Sequence, residues 1–166
     1  MAVPALVVLD RDGVINQDSD AYIKSPEEWI PIPGSLEAIA RLNHAGIQVA
    51  VASNQSGIGR GLFAIEDLNA MHAKLQRLLA RVGGHVDAIF FCPHTPDAGC
   101  NCRKPRPGLL HAIAQRFELR LRREQDVLDL LALRLVEVQA FRHALDDEAG
   151  HAEVWPVFRS ALGNGA

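Results

Sequence analysis

The chain has 166 residues, 48% of them hydrophobic, and a formal net charge of −3 with no Lys/Arg cluster. That length suits one domain with a real core, the charge balance argues against nucleic acid as the main partner, and the N-terminal apolar run is too short for a signal peptide or membrane span. Three cysteines, two of them close together, point to a reducing, cytoplasmic compartment and to metal rather than disulfides.

Ala5-Leu6-Val7-Val8-Leu9 opens the chain as a short, β-branched apolar run, the pattern of a fully buried strand. Asp10 and Asp12 leave its carboxyl end, where open α/β sheets bind ligands, and the i, i+2 spacing aims both acids into one cleft. Ending a buried strand in two acids is costly unless a cation or a reaction uses them. Asp10 attacking phosphorus would form an aspartyl-phosphate, and Asp12 would protonate the leaving oxygen and later deprotonate water. Mg²⁺ with oxygen ligands would neutralise the converging anions. Taken alone, the segment fits a solvated Asp-Gly turn equally well.

Residues 16–33 are expected to form a loop over the strand end, anchored by Tyr22, Trp29 and Ile30. Pro33-Gly34-Ser35 then opens a helix to about Ala45, with Leu36, Ile39, Ala40 and Leu42 inward and Gly46 as its stop. Ile47–Ala52 is a second buried strand, followed at once by SNQSGIGRG. Ser53, beside Asn54, offers a hydroxyl and the turn offers backbone N–H groups to a phosphate oxygen. Gly57, Gly59 and Gly61 let the backbone approach a ligand, and Arg60 could meet a second anionic group. Such a connection is ordinary in α/β proteins; its place after the second strand is what favours phosphate. Leu68, Met71, Leu75, Leu78, Leu79 and Val82 define a helix over about 65–82, closed by Gly83-Gly84, with His72 as a packing or surface histidine. Residues 86–91 form the third strand.

The most specific pattern follows. Cys92, His94, Cys100 and Cys102 are spaced C-x-H-x5-C-x-C, four soft ligands that complete a tetrahedral Zn²⁺ shell with no open position, so the metal is structural. Just beyond, Arg103 and Lys104 are held by that clip, and a positioned lysine is what a phosphoryl site with several carboxylates requires. Pro107 suits the first turn of a helix to about Phe117, with Leu109, Leu110, Ile113 and Phe117 inward.

LDRDGVIN, SNQSGIGRG and CPHTPDAGCNCRKPRPG, in this order, resemble the haloacid dehalogenase-like phosphatases, most closely the D,D-heptose 1,7-bisphosphate phosphatase group, over roughly residues 5–118. The resemblance implies an α/β fold, a three-layer α/β/α sandwich with a mainly parallel sheet, and release of the C7 phosphate of a heptose bisphosphate. Asp10 would be the nucleophile and a Mg²⁺ ligand; Asp12 would be the general acid/base, binding Mg²⁺ through its backbone carbonyl. Ser53 and Lys104 would hold the transferring phosphoryl group, while Asn54, Gln55, Arg60 and Arg103 would meet the substrate. Cys92, His94, Cys100 and Cys102 would hold zinc. Histidinol phosphate is the alternative substrate, and a phosphate- or zinc-binding domain without turnover is the alternative from another class.

After Leu119 the pattern departs from this family, which continues with a strand ending in a Gly-Asp pair that completes the Mg²⁺ shell. No Gly-Asp occurs there; Asp126 and Asp129 are the nearest acids in sequence. Leu128, Leu131, Leu135, Val138 and Leu145 suggest a long helix, and 152–158 a short edge strand broken by Pro156. The first strand then needs cover from this tail or from a partner chain. A monomer is expected, with dimerisation through the C-terminal helix as the alternative.

Overall fold

The computed structural model describes residues 6–119; the expected C-terminal helix, the edge strand at 152–158, Asp126 and Asp129 lie outside the described residues. Three parallel strands, β1 (Leu6–Leu9), β2 (Gln48–Asn54) and β3 (Ala88–Cys92), form a sheet in the order β1-β2-β3. Val8 lies opposite Ala50, and Ala50 opposite Ala88, so the carboxyl ends of all three strands open on one edge. Asp10, Ser53 and Cys92 therefore gather along a single rim, although 43 residues separate the first two in sequence.

Helices α1 (Ser35–His44) and α3 (Ile65–Arg81) pack on one face. Val7, Leu9, Val49 and Val51 point to that side, against Ile39, Leu68, Met71, Leu75 and Leu79, which are all fully buried. Each such side chain contributes about 1.5–3 kcal/mol through burial. Val8, Ala50 and Ala52 point the other way, to Leu109, Leu110 and Ile113 of α4 (Gly108–Arg116). Helices on both faces of a parallel sheet make the expected α/β/α sandwich.

Local chemistry sets the helix ends. After α1 the N–H of Ile47 bonds the Leu42 carbonyl and that of Gly46 the Asn43 carbonyl, a closure that needs positive φ at Gly46, observed at 78°. At the start of α3, Asp67 accepts the Ala64 N–H at 2.8 Å. Two expectations are corrected. The run after Ser53 is not all turn: Ser56–Gly59 forms one helical turn, α2, and the Phe63 ring covers Gly57 so closely that a Cβ would lie 2.2 Å from it. In the 16–33 loop Trp29 is fully buried, whereas the Ile30 side chain is 49% exposed and its backbone carbonyl takes the Gln17 N–H.

Candidate active site

Immediately after β1 the chain turns back on itself, because the Arg11 carbonyl accepts the N–H groups of Val14, Ile15 and Asn16 and Gly13 takes φ 79°. This turn leaves Asp10 and Asp12 at the rim, with side chains 24% and 22% exposed. Asp10 Oδ1 accepts the Arg11 backbone N–H at 2.8 Å, and its Oδ2 lies 2.7 Å from Lys104 Nζ. Lys104 also donates to the Ala52 carbonyl, which ties the ammonium to the end of β2. A lysine this buried is stable only because an anion and a carbonyl both receive it.

The Asp12 carboxylate is held by three side chains. Arg11 grips it bidentately, Nε to Oδ1 at 2.9 Å and Nη2 to Oδ2 at 3.1 Å; Asn16 Nδ2 reaches Oδ1 at 2.9 Å and Gln55 Nε2 reaches Oδ2 at 2.8 Å. Arg11 is wholly buried, with its far side against the Met71 sulfur. Sequence reasoning missed Arg11 and Asn16. The one available signal was that a carboxylate at the end of a buried strand needs nearby donors, and an arginine stood between the two acids.

From β2, Ser53 lies 1% exposed with its Oγ 2.6 Å from Gln55 Nε2. Asn54, expected against substrate, instead splints Lys104: its Oδ1 accepts the Lys104 N–H at 3.0 Å and its Nδ2 donates to the Lys104 carbonyl at 3.1 Å. Gln55 is 4% exposed and turned into the protein. Arg60 caps α2 at the surface, and Arg103 reaches the His94 carbonyl at 3.4 Å, so neither touches the acids. The contacts thus link Asp10, Asp12, Ser53, Gln55 and Lys104 and leave the two arginines at the margin.

Behind the lysine, Cys92, His94, Cys100 and Cys102 converge until their ligand atoms all lie within 4.8 Å of one another. The Cys92–Cys102 and Cys92–Cys100 sulfur–sulfur distances, 3.2 and 3.6 Å, are two edges meeting at Cys92 and are close to the ~3.8 Å edge of a tetrahedron around Zn²⁺, whose bonds to sulfur are about 2.3 Å. Burial pushes the Cys92 thiol up to about 12, and a coordinated cation deprotonates such a thiol outright. Soft donors here and hard carboxylates at the rim divide the two metals cleanly: zinc suits the loop, Mg²⁺ the acids. The loop also braces its neighbours. Gly59 N–H bonds the Pro93 carbonyl at 2.9 Å, an approach close enough that a Cβ on Gly59 would sit 2.6 Å from that oxygen.

A family model described as polynucleotide kinase 3 phosphatase matches residues 6–128. The D-glycero-beta-D-manno-heptose-1,7-bisphosphate 7-phosphatase of Pseudomonas putida is 61% identical over 116 residues, 70% of this chain and 66% of that protein. The same-named protein of Rhodopseudomonas palustris is 35% identical over 150 residues, 84% of this chain and 83% of its own. The crystal structure of D,D-heptose 1,7-bisphosphate phosphatase from B. bronchiseptica, complexed with magnesium and phosphate, superposes with a TM-score of 0.67 at 62% identity, covering 68% of this chain and 63% of that one. The chain thus spans just under two thirds of the length of the P. putida relative.

Proposed function

This chain belongs to the heptose-bisphosphate phosphatase family of haloacid dehalogenase-like phosphatases, and from that premise we propose that it hydrolyses the C7 phosphate of D-glycero-D-manno-heptose 1,7-bisphosphate. The observation that carries this reading is the Asp10–Lys104 pair at 2.7 Å beside the clamped Asp12. Asp10 attacks phosphorus, the sugar oxygen leaves with a proton from Asp12, and a water deprotonated by Asp12 then cleaves the aspartyl-phosphate. Lys104 and the Ser53 hydroxyl stabilise the charge that builds on the phosphoryl oxygens. Mg²⁺, when bound by Asp10 and the Asp12 carbonyl, supplies positive charge that lets the anionic groups approach. Cys92, His94, Cys100 and Cys102 would hold zinc, which would fix the loop that delivers Lys104 and Arg103. Arg103 and Arg60, at the margin, are placed to meet the part of the substrate that does not react.

Three free cysteines support a reducing, cytoplasmic setting, and no helix among the described residues is long and apolar enough to cross a membrane.

Steady-state phosphate release with excess Mg²⁺, from the heptose bisphosphate and from histidinol phosphate, tests the proposal. The heptose substrate should give the higher kcat/KM, and Asp10→Asn should lower kcat by at least about 10³-fold. Faster turnover of histidinol phosphate would reassign the substrate. Undiminished hydrolysis by Asp10→Asn would remove the covalent mechanism.

A further inference from the structure

Gln55 occupies a place in the site that substrate contact does not explain. Its Oε1 lies 3.2 Å from Arg11 Nη2, and an arginine can only donate, so the oxygen of the amide must face Arg11. This settles the orientation of the amide without ambiguity and turns its nitrogen toward Ser53 Oγ at 2.6 Å and Asp12 Oδ2 at 2.8 Å. An amide nitrogen carries two protons, and here each has an acceptor. Gln55 is thereby saturated, 4% exposed, and has no donor left for a ligand.

The consequence falls on Ser53. Its oxygen accepts from Gln55, and among the described residues its hydroxyl donates no bond. The single O–H proton is therefore directed away from Gln55 and is available to a further acceptor. We propose that Gln55 is a positioning residue for phosphoryl transfer: held by Arg11, it turns the Ser53 hydroxyl proton toward the phosphoryl group and fixes the Asp12 carboxylate, without touching the substrate. This rests on the phosphatase reading above and adds to it a link between the strand bearing the two acids and the strand bearing the hydroxyl. Arg11 is the fixed point of that link, since the same guanidinium grips Asp12 and orients Gln55.

The test compares wild type with Gln55→Met, which keeps the length of the side chain and removes both donors, in phosphate release from the heptose bisphosphate with excess Mg²⁺. Misplaced groups reduce the rate of the chemical step, so kcat should fall by about 10²-fold while KM stays within about twofold. In a Ser53→Ala background the same substitution should cost only about tenfold, because one of its two targets is already gone. A raised KM with kcat retained would make Gln55 a substrate contact and overturn the proposal, as would an undiminished penalty in the Ser53→Ala background. Gln55→Glu keeps the acceptor toward Arg11 but loses both donors. It serves if Gln55→Met does not fold, and the same loss of kcat is required of it. A wild-type chain that releases phosphate from no sugar phosphate would instead overturn the phosphatase reading, and the positioning role with it.

Discussion

Single residues around the acids differ in how openly they declare themselves, and His72 is the most reticent. It lies on α3 one residue beyond Met71, its ring 6.3 Å from that of Phe91, with a buried Nε2 that has no hydrogen-bond partner among the described residues. Burial, with the Arg11 charge assisting and Asp12 opposing, pushes its pKa down to about 4. The unfolded chain binds a proton near pH 6.5 that the folded chain refuses until about pH 4. The stability that His72 lends by staying neutral is therefore complete above pH 6.5 and is lost as pH falls through 4, a swing of about 2–3 kcal/mol. Urea unfolding at pH 7.5 and pH 4 should show wild type losing that much more than His72→Gln; equal losses would mean the imidazole is accessible to protons. At this scale the sequence was legible where chemistry is written in residue type. Two acids ending an apolar strand, a lysine after a cysteine cluster, and four soft ligands at metal spacing all signal themselves. Arg11 does not, because an arginine is ordinarily solvated and only the fold buries it at 0% exposure between Asp12 and Met71.

Among the elements, the connection from β3 to α4 carries the most chemistry with the least regular structure. Its regular structure is a short 3₁₀ segment, Pro96–Ala98, and a turn closed by the Arg106 N–H on the Arg103 carbonyl; the four converging ligands and bonds such as Gly108 N–H to the Asn101 carbonyl tie the rest. Lys104 follows the last ligand by two residues. A loop built this way folds with its ion. A zinc-selective chelator, with Mg²⁺ kept in excess, should remove one zinc per chain, abolish most phosphate release and lower Tm by at least about 8 °C, the equivalent of about 2–4 kcal/mol in a chain of 166 residues. Cys100→Ser should do the same in part. Full activity in zinc-free protein would show that Lys104 is held without the clip. Strand and helix positions were readable from apolar runs and 3.6-residue stripes, with ends displaced by one or two residues. Two features were not. Glycines at 57 and 59 lower helix propensity, so the single turn of α2 reads as loop until the Phe63 ring is seen closing over it. Nor does a strand buried on both sides alternate in sequence, so nothing in LVVL tells that Val7 and Leu9 face α1 and α3 while Val8 faces α4.

At the scale of the whole sheet, its two faces are unequally covered among the described residues. Among the described residues sixteen buried hydrophobic side chains form the cluster on the α1/α3 face and seven form the one beneath α4. The residues gathered at the rim are drawn from both sides: Arg11 packs against Met71 of α3, whereas the Cys/His loop and Lys104 lead into α4. β2 lies between the other two strands and is buried from Val49 to Ser53, so its amide groups are shielded by a neighbour on either side. Amide exchange in such a strand requires the whole sheet to part, while α4 can lift with far less surface exposed. Hydrogen exchange should therefore find the β2 amides slowest and those of residues 112–116 in α4 at least about tenfold faster, a local opening about 1.4 kcal/mol easier than global unfolding. Removing zinc should speed α4 further and leave β2 last to exchange, since the clip ties α4 to β3 through Cys92 and Cys102. If α4 exchanges as slowly as β2 with zinc present, the two faces unfold as one unit, and the lysine is then carried by an element as rigid as the strand that bears its carboxylate partner.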